Sequence, residues 1–342
     1  MEKLLLQLLI TGLMACIAAL FLTPLFIRVA LALNLVDNPD GKLKHHKKPT
    51  PYLGGLAVYC SFLIALIVFL PLCGTTSYLI LGTTLLVLLG LIDDCFPLEP
   101  YQKFLGQAFA ALCFIRGGLY LKETFLLTYM QTTGYFFWVS ISTFWILSVI
   151  NAFNLVDVMD GLAGTLALTS SCAFLLCALA AGNYITAFLI AALIGALIGF
   201  MRFNLPPASI YLGDAGSLFI GGVMSVIPFM ISWGTFSSLG FLAPPIILAL
   251  PLLEGFTLIV VRLIKGIPFY NGSRDHFCHY LIDQGWSKYS ILAYTVLINM
   301  YLFALAYFYL IGAIHLAGLV VIAIAFVIIW YLILFRARSP FS

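Results

Sequence analysis

The chain has 342 residues, of which 63% are hydrophobic and only 8% charged, with a formal net charge of +3. No water-soluble core needs so much apolar side chain, which excludes an ordinary soluble domain and points to an all-α polytopic membrane protein. The apolar runs are continuous, not alternating, so a membrane β-barrel is excluded too.

Runs of roughly 20 apolar residues, the length that crosses a bilayer as a helix, occur at 5–33, 53–72, 77–92, 104–121, 134–151, 162–181, 184–201, 215–233, 238–262, 289–311 and 315–335. They read as eleven spans in one integral-membrane domain, 1–342. The first is read as a retained span because no small-residue cleavage site follows it. Eleven spans put the loops 34–52, 93–103, 152–161, 202–214 and 263–288 on one side, and most Lys and Arg residues, Lys103 and Lys288 among them, lie on or beside it. The positive-inside rule makes that side cytoplasmic. The eight cysteines are scattered without a CxxC pair, which argues against a disulfide framework and against zinc.

The same side carries the chemistry. Carboxylates at a membrane edge are costly and are a functional-site hypothesis by default. Asp93 and Asp94 end the third span, at the negative pole of its helix, where a divalent ion or a cationic partner would relieve them. In Asn151-Ala-Phe-Asn-Leu-Val-Asp-Val-Met-Asp-Gly161, helical phase makes Asn154 and Asp157 neighbours and turns Asn151 and Asp160 apart. All four reach one site only if the helix ends or bends, which Gly161 permits; helix capping is the competing role for Asp160. Before the eighth span, Gly213 and Gly216 let the backbone approach a ligand closely, and Asp214 offers a hard oxygen ligand or a helix N-cap. Arg274, His276 and His279 in the last long loop are donors suited to a pyrophosphate. Lys47 and Lys48 belong to a basic first loop that can hold anionic headgroups or a lipid phosphate. Its aromatic interleaving is too sparse for nucleic-acid binding.

In order, the Pro51-to-Gly55 turn, Asp93-Asp94, Asn151-to-Gly161, Gly213-Asp214, and Pro268-Phe269 leading to Arg274-Asp275-His276 and His279 resemble the polyprenyl-phosphate N-acetylhexosaminyl-1-phosphate transferases, over nearly the whole chain. The resemblance implies transfer of a sugar 1-phosphate from a UDP-N-acetylhexosamine to undecaprenyl phosphate, with release of UMP, at the cytoplasmic face of a bacterial inner membrane. It implies Mg2+, with Mn2+ as a substitute, on Asp214 and with Asn154 as a second ligand. Asp93 is implied as base for the lipid phosphate, and Asp94, Asp157 and Asp160 complete the catalytic set. Lys47 or Lys48 would take the acceptor phosphate, Asn151 and Asn154 would contact substrate, and Arg274, His276 and His279 would grip the donor's pyrophosphate. Membrane lipids surround the protein, and a homodimer is one option for its assembly.

The chain departs from that family where His-x-His-His reads His276-Phe277-Cys278-His279, where Val158 replaces a Gly, and where Glu254 replaces an Asp. Without a triple-His signature, the branch that starts O-antigen, common-antigen, teichoic-acid or capsular glycans is favoured over the phospho-muramoyl-pentapeptide branch. The alternatives are an ion-coupled transporter, a CDP-alcohol phosphotransferase and a lipid-binding protein without chemistry. Transport predicts acidic residues near mid-bilayer, and only Glu254 lies well inside a span.

Overall fold

The computed structural model describes residues 2–37, 49–70, 74–122, 124–268 and 274–336. Among these residues its regular structure is helical, apart from one short strand pair. Each expected apolar run is occupied by a helix or, in one case, by two. In a bilayer the backbone must satisfy its own hydrogen bonds, and only helices do so within one segment. Among the described residues, seven helical stretches are long and apolar enough to span, an eighth counts if a bent pair is one span, and two shorter apolar helices, Gly54–Phe69 and Leu316–Leu332, add to these; the helix Pro100–Arg116, in the run expected at 104–121, is not among them. The molecule is a multi-pass membrane protein.

Two compact units, 1–232 and 233–342, divide the chain. The first contains α1 (Glu2–Ala32), α2 (Gly54–Phe69), α3 (Thr75–Cys95), α4 (Pro100–Arg116), α5 (Thr124–Val156), α6 (Leu162–Ala180), α7 (Tyr184–Asn204) and α8 (Gly213–Val226). α1 packs on α2 and α7, and α8 packs among α2, α3 and α5. Nearly every residue of α8 is buried. It is the central post of this unit, and it carries Asp214 at its start.

β1 (Val36–Asp37) and β2 (Thr50–Pro51) pair antiparallel, with Val36 opposite Pro51 and Asp37 opposite Thr50. The two ends of the basic loop are thereby tied together. Lys47 and Lys48 lie outside the described residues.

The second unit contains α9 (Ala243–Ile247), α10 (Ala249–Ile264), α11 (Phe277–Asp283), α12 (Lys288–Leu310) and α13 (Leu316–Arg336). The run expected as one span over 238–262 is broken: the helical stretch 240–247 and α10 are bent by 64°. Pro244 and Pro245 open α9 and Pro251 lies in the first turn of α10, so proline rings and missing N–H groups crowd the break. α5 also begins ten residues before the run expected at 134.

Candidate active site

The site in the first unit arises where helix ends of opposite polarity meet. α3 arrives with its C-terminus and α8 departs with its N-terminus, and glycine makes the contact close. A Cβ on Gly90 of α3 would sit 2.3 Å from the Ala215 nitrogen, and one on Gly55 would sit 2.1 Å from the Gly216 nitrogen. The backbone seals the junction. Gly54 N–H donates to Tyr211 O (3.1 Å), Gly55 N–H to Leu212 O (2.8 Å) and Tyr211 N–H to Pro51 O (2.8 Å). The glycines expected to admit a ligand here admit neighbouring backbone and side chains. Gly213 is left-handed (φ +72°), 2.8 Å from an Asp94 carboxylate oxygen as measured from a Cβ placed there.

Asp94 is the N-cap of a helix in another part of the chain. Its Oδ1 accepts from Asp214 N–H at 2.9 Å and its Oδ2 from Ala215 N–H at 3.2 Å. No side chain of α8's own cap residue, Leu212, does this. The Asp94 carboxylate satisfies two N–H groups at the positive pole of α8, which offsets its unfavourable place at the negative pole of α3. Asp214 is the second residue of α8 and not its cap.

Asp93 sits beside it with its side chain only 4% exposed. Its Oδ1 accepts from Leu98 N–H at 2.8 Å, and its Oδ2 pairs with Lys103 Nζ. The same ammonium reaches Asp214 Oδ2 at 2.9 Å. Lys103 therefore bridges a carboxylate of α3 and one of α8, the latter 111 residues away from it in sequence. Sequence reasoning counted it only as a topology charge. The signal for it was local: Pro97 and Pro100 turn the chain, and the capping box of Glu99 and Gln102 starts α4 at once. The first turn of α4 then falls beside the last turn of α3.

From α5, Asn154 donates Nδ2 to Asp214 Oδ1 at 2.7 Å and to Ser217 Oγ at 3.0 Å. Asn151, one turn earlier, exchanges hydrogen bonds with the buried Gln107 of α4 and is not part of the acidic cluster. α5 ends at Val156, and Asp157 follows it in the turn. Burial, then the negative charges of Asp214, Asp94 and Asp160, push the Asp157 carboxyl well above the usual carboxylate range. Asp160 Oδ2 accepts from Ala208 N–H at 3.4 Å. Next to it Gly161 N–H donates to Asn204 Oδ1, whose Nδ2 in turn donates to Ile210 O. Asn204, 3% exposed, pins the Asp157 turn to the loop leading into Asp214. It too was missed.

Among the described residues no three His, Cys, Asp or Glu side chains form a ready metal cage. Magnesium does not require one: it takes one or two carboxylates and fills its octahedron with water and phosphate oxygens. Asp214, backed by Asn154, meets that requirement. The Lys103 ammonium lying between Asp93 and Asp214 marks the same spot as a place for positive charge. The residues fit the ion.

In the second unit, α10 buries a carboxylate, Glu254, at 1% exposure. Its Oε1 accepts from Phe277 N–H at 3.1 Å and lies 3.3 Å from His276 Nδ1, while Oε2 has no hydrogen-bond partner among the described residues. Asp275 accepts from Lys265 Nζ (2.6 Å) and Tyr280 OH (2.8 Å). Asp275 and His276 therefore point inward, while Arg274 is exposed and His279 half-buried. Burial, with the charges of His276 and Arg274, lowers the His279 pKa.

Comparison with known proteins places this arrangement. Residues 76–232, which include α3, α4, the α5–α6 turn and the start of α8, match glycosyl transferase family 4. The probable undecaprenyl-phosphate N-acetylglucosaminyl 1-phosphate transferase of Bacillus subtilis (strain 168) is 27% identical over 296 residues, 84% of this chain and 80% of that protein. The phospho-N-acetylmuramoyl-pentapeptide-transferase of Bacillus cytotoxicus is 30% identical over 243 residues, 66% of this chain and 75% of that protein. The corresponding protein of Limosilactobacillus fermentum is 33% identical over 207 residues, 56% of this chain and 64% of that protein. Fold and site define a membrane-embedded protein with an acidic centre braced by one lysine. The chain belongs to glycosyl transferase family 4.

Proposed function

We propose that the protein transfers an N-acetylhexosamine 1-phosphate from a UDP-sugar to undecaprenyl phosphate, releasing UMP, and so starts a lipid-linked cell-surface glycan. The observation that carries this reading is the Asp93–Lys103–Asp214 bridge, held with Asn154 at the junction of α3, α4, α5 and α8. Two phosphate-bearing substrates repel each other, and phosphoryl transfer is catalysed by positioning and by neutralising oxygen charge. The Bacillus subtilis relative, whose name describes this reaction, supports the choice of substrates. The excess of Lys and Arg on the loops that carry the site supports its placement at the cytoplasmic face of a bacterial membrane.

An oxygen of the lipid phosphate attacks the β-phosphorus of the donor, the P–O bond to the α-phosphate breaks, and UMP leaves. Asp214 and Asn154 would hold magnesium, or manganese in its place. The bound ion would neutralise charge on the transferring phosphoryl oxygens. Asp93, fixed by Leu98 N–H and Lys103, orients the attacking phosphate and accepts any proton it carries. A phosphate monoester is largely ionised at neutral pH, so orientation is the larger part of that role. Asp94 holds α8 in register, and Asp157 and Asp160 shape the turn beside it. Lys47 and Lys48 serve the acceptor phosphate. In the second unit, Arg274 and His279 suit the donor's pyrophosphate chemically; His276, turned to Glu254, supports them.

A second reading has a specific observation behind it: two of the relatives above are phospho-N-acetylmuramoyl-pentapeptide-transferases. The test separates both. Reconstituted protein receives undecaprenyl phosphate, magnesium and a panel of UDP-N-acetylhexosamines together with the UDP-muramoyl pentapeptide, and UMP is followed. UMP from a simple N-acetylhexosamine donor is expected. UMP from the pentapeptide donor alone would select the second reading, and none from any donor, in folded protein, would end both.

A further inference from the structure

Every carboxylate oxygen of Asp93, Asp94 and Asp214 is already engaged. Asp94 is spent on two α8 backbone N–H groups. Asp93 takes Leu98 N–H and Lys103. Asp214 takes Asn154 on one oxygen and Lys103 on the other. A carboxylate oxygen can accept a second partner, but a divalent ion at Asp214 is repelled by the ammonium already beside it, so binding is favoured where a donor gives way. The candidates differ in freedom. Backbone N–H groups of α8 cannot leave without unwinding a buried helix. Asn154 is also tied to Ser217 within the helix packing. Lys103 alone combines a long unbranched stem with an outlet, its side chain being 28% exposed.

We infer that Lys103 is the resident counter-cation of this centre, and that a divalent ion binds by displacing its ammonium from Asp214. The inference rests on the reading above, which calls for magnesium at Asp214. It goes further by assigning to one lysine both the charge balance between Asp93 and Asp214 and the cost of loading an ion there. Without Lys103, Asp93 and Asp214 would face each other unscreened at the mouth of a buried helix junction. Like charges so placed are costly, and a cation that fits relieves them. The displaced ammonium stays tethered to the first turn of α4, beside the incoming ion, where it can pair with a phosphate oxygen of a substrate. The bridge thus sets a threshold: the ion binds weakly to protein alone and better once phosphate gives Lys103 a new partner.

The test reads metal binding directly, on full-length protein in detergent without substrates. Mn2+ is titrated and the free ion followed by electron paramagnetic resonance. Lys103→Met keeps the stem and removes the charge, and should bind Mn2+ about tenfold more tightly than wild type, equivalent to about 1.4 kcal/mol for release from the competing ammonium at Asp214. Lys103→Arg keeps a cation and should stay near wild type. Adding Asp214→Asn to Lys103→Met should abolish the gain. Equal or weaker Mn2+ binding by Lys103→Met, with an elution profile and thermal unfolding like those of wild type, would overturn the inference. If Lys103→Met does not fold, Lys103→Gln decides it: tighter Mn2+ binding than wild type supports displacement, and equal or weaker binding refutes it. UMP release by wild type is measured in parallel. Normal turnover with no metal gain in Lys103→Met would sink this inference alone, and absent turnover would sink only the functional reading.

Discussion

Asp94 offers the most direct test of how the site is built, because its role here is structural and measurable apart from turnover. Asp94→Ala removes the acceptor for Asp214 N–H and Ala215 N–H at the start of a buried helix. Loss of an ordinary N-cap costs about 0.5–2 kcal/mol, and a buried N–H left without a partner costs about 1–3 kcal/mol. Relief of repulsion from Asp93 and Asp214 offsets part of this, so a net loss of about 2 kcal/mol is expected. For a unit of this size that corresponds to a fall in Tm of about 4–8 °C. Asp94→Asn keeps one oxygen for Asp214 N–H but turns an amide N–H toward Ala215 N–H, and should fall between. The assay is thermal unfolding in detergent by tryptophan fluorescence. A Tm for Asp94→Ala within about 1 °C of wild type would refute the trans-cap and return Asp94 to a purely chemical role.

Three further expectations follow from the same geometry. Gly55→Ala forces a Cβ onto the Gly216 backbone and should destabilise by about 1–3 kcal/mol or more, seen as poor recovery of folded protein by size-exclusion chromatography; normal yield and Tm would contradict the packing. Glu254→Ala should speed hydrogen exchange at the Phe277 amide by about tenfold, as expected for the loss of roughly 1.4 kcal/mol of protection, whereas Glu254→Gln, which keeps an acceptor, should change it little; equal effects would show that the contact does not hold α11. His279 has a folded pKa below its unfolded value of about 6.5. The folded state therefore binds fewer protons in that interval, and the associated stability is present above the unfolded pKa and lost as pH falls through the folded one. His279→Gln should flatten the decline in Tm on acidification, and an unchanged decline would refute the assignment.

The helices were legible because a bilayer leaves the backbone one local solution, and apolar length reports it directly. The break at Leu248 was not, because composition reads straight through Pro244, Pro245 and Pro251. Within the site, helical phase singled out Asn154 and Asp157 as neighbours; the structure takes Asn154 to Asp214 and Asn151 to Gln107, and ends α5 at Val156, just before Asp157. The penalty for two carboxylates at a helix C-terminus pointed to a missing positive partner. Its identity was hidden, since both answers are tertiary: the N-terminus of α8 and the ammonium of Lys103. Asn204 was invisible for the same reason, as a buried amide that joins two loops looks like any polar residue at a helix end. The inward turn of His276 depends on Glu254, a residue whose partner comes from another helix 23 positions on.

Donor labelled in its β-phosphate tests the central claim most directly. Incubated with reconstituted protein, undecaprenyl phosphate and magnesium, the label should appear in the lipid extract in step with UMP in the aqueous phase, and Asp214→Asn should abolish both. Label left in the aqueous phase as UDP, or undiminished transfer by folded Asp214→Asn, would contradict the account.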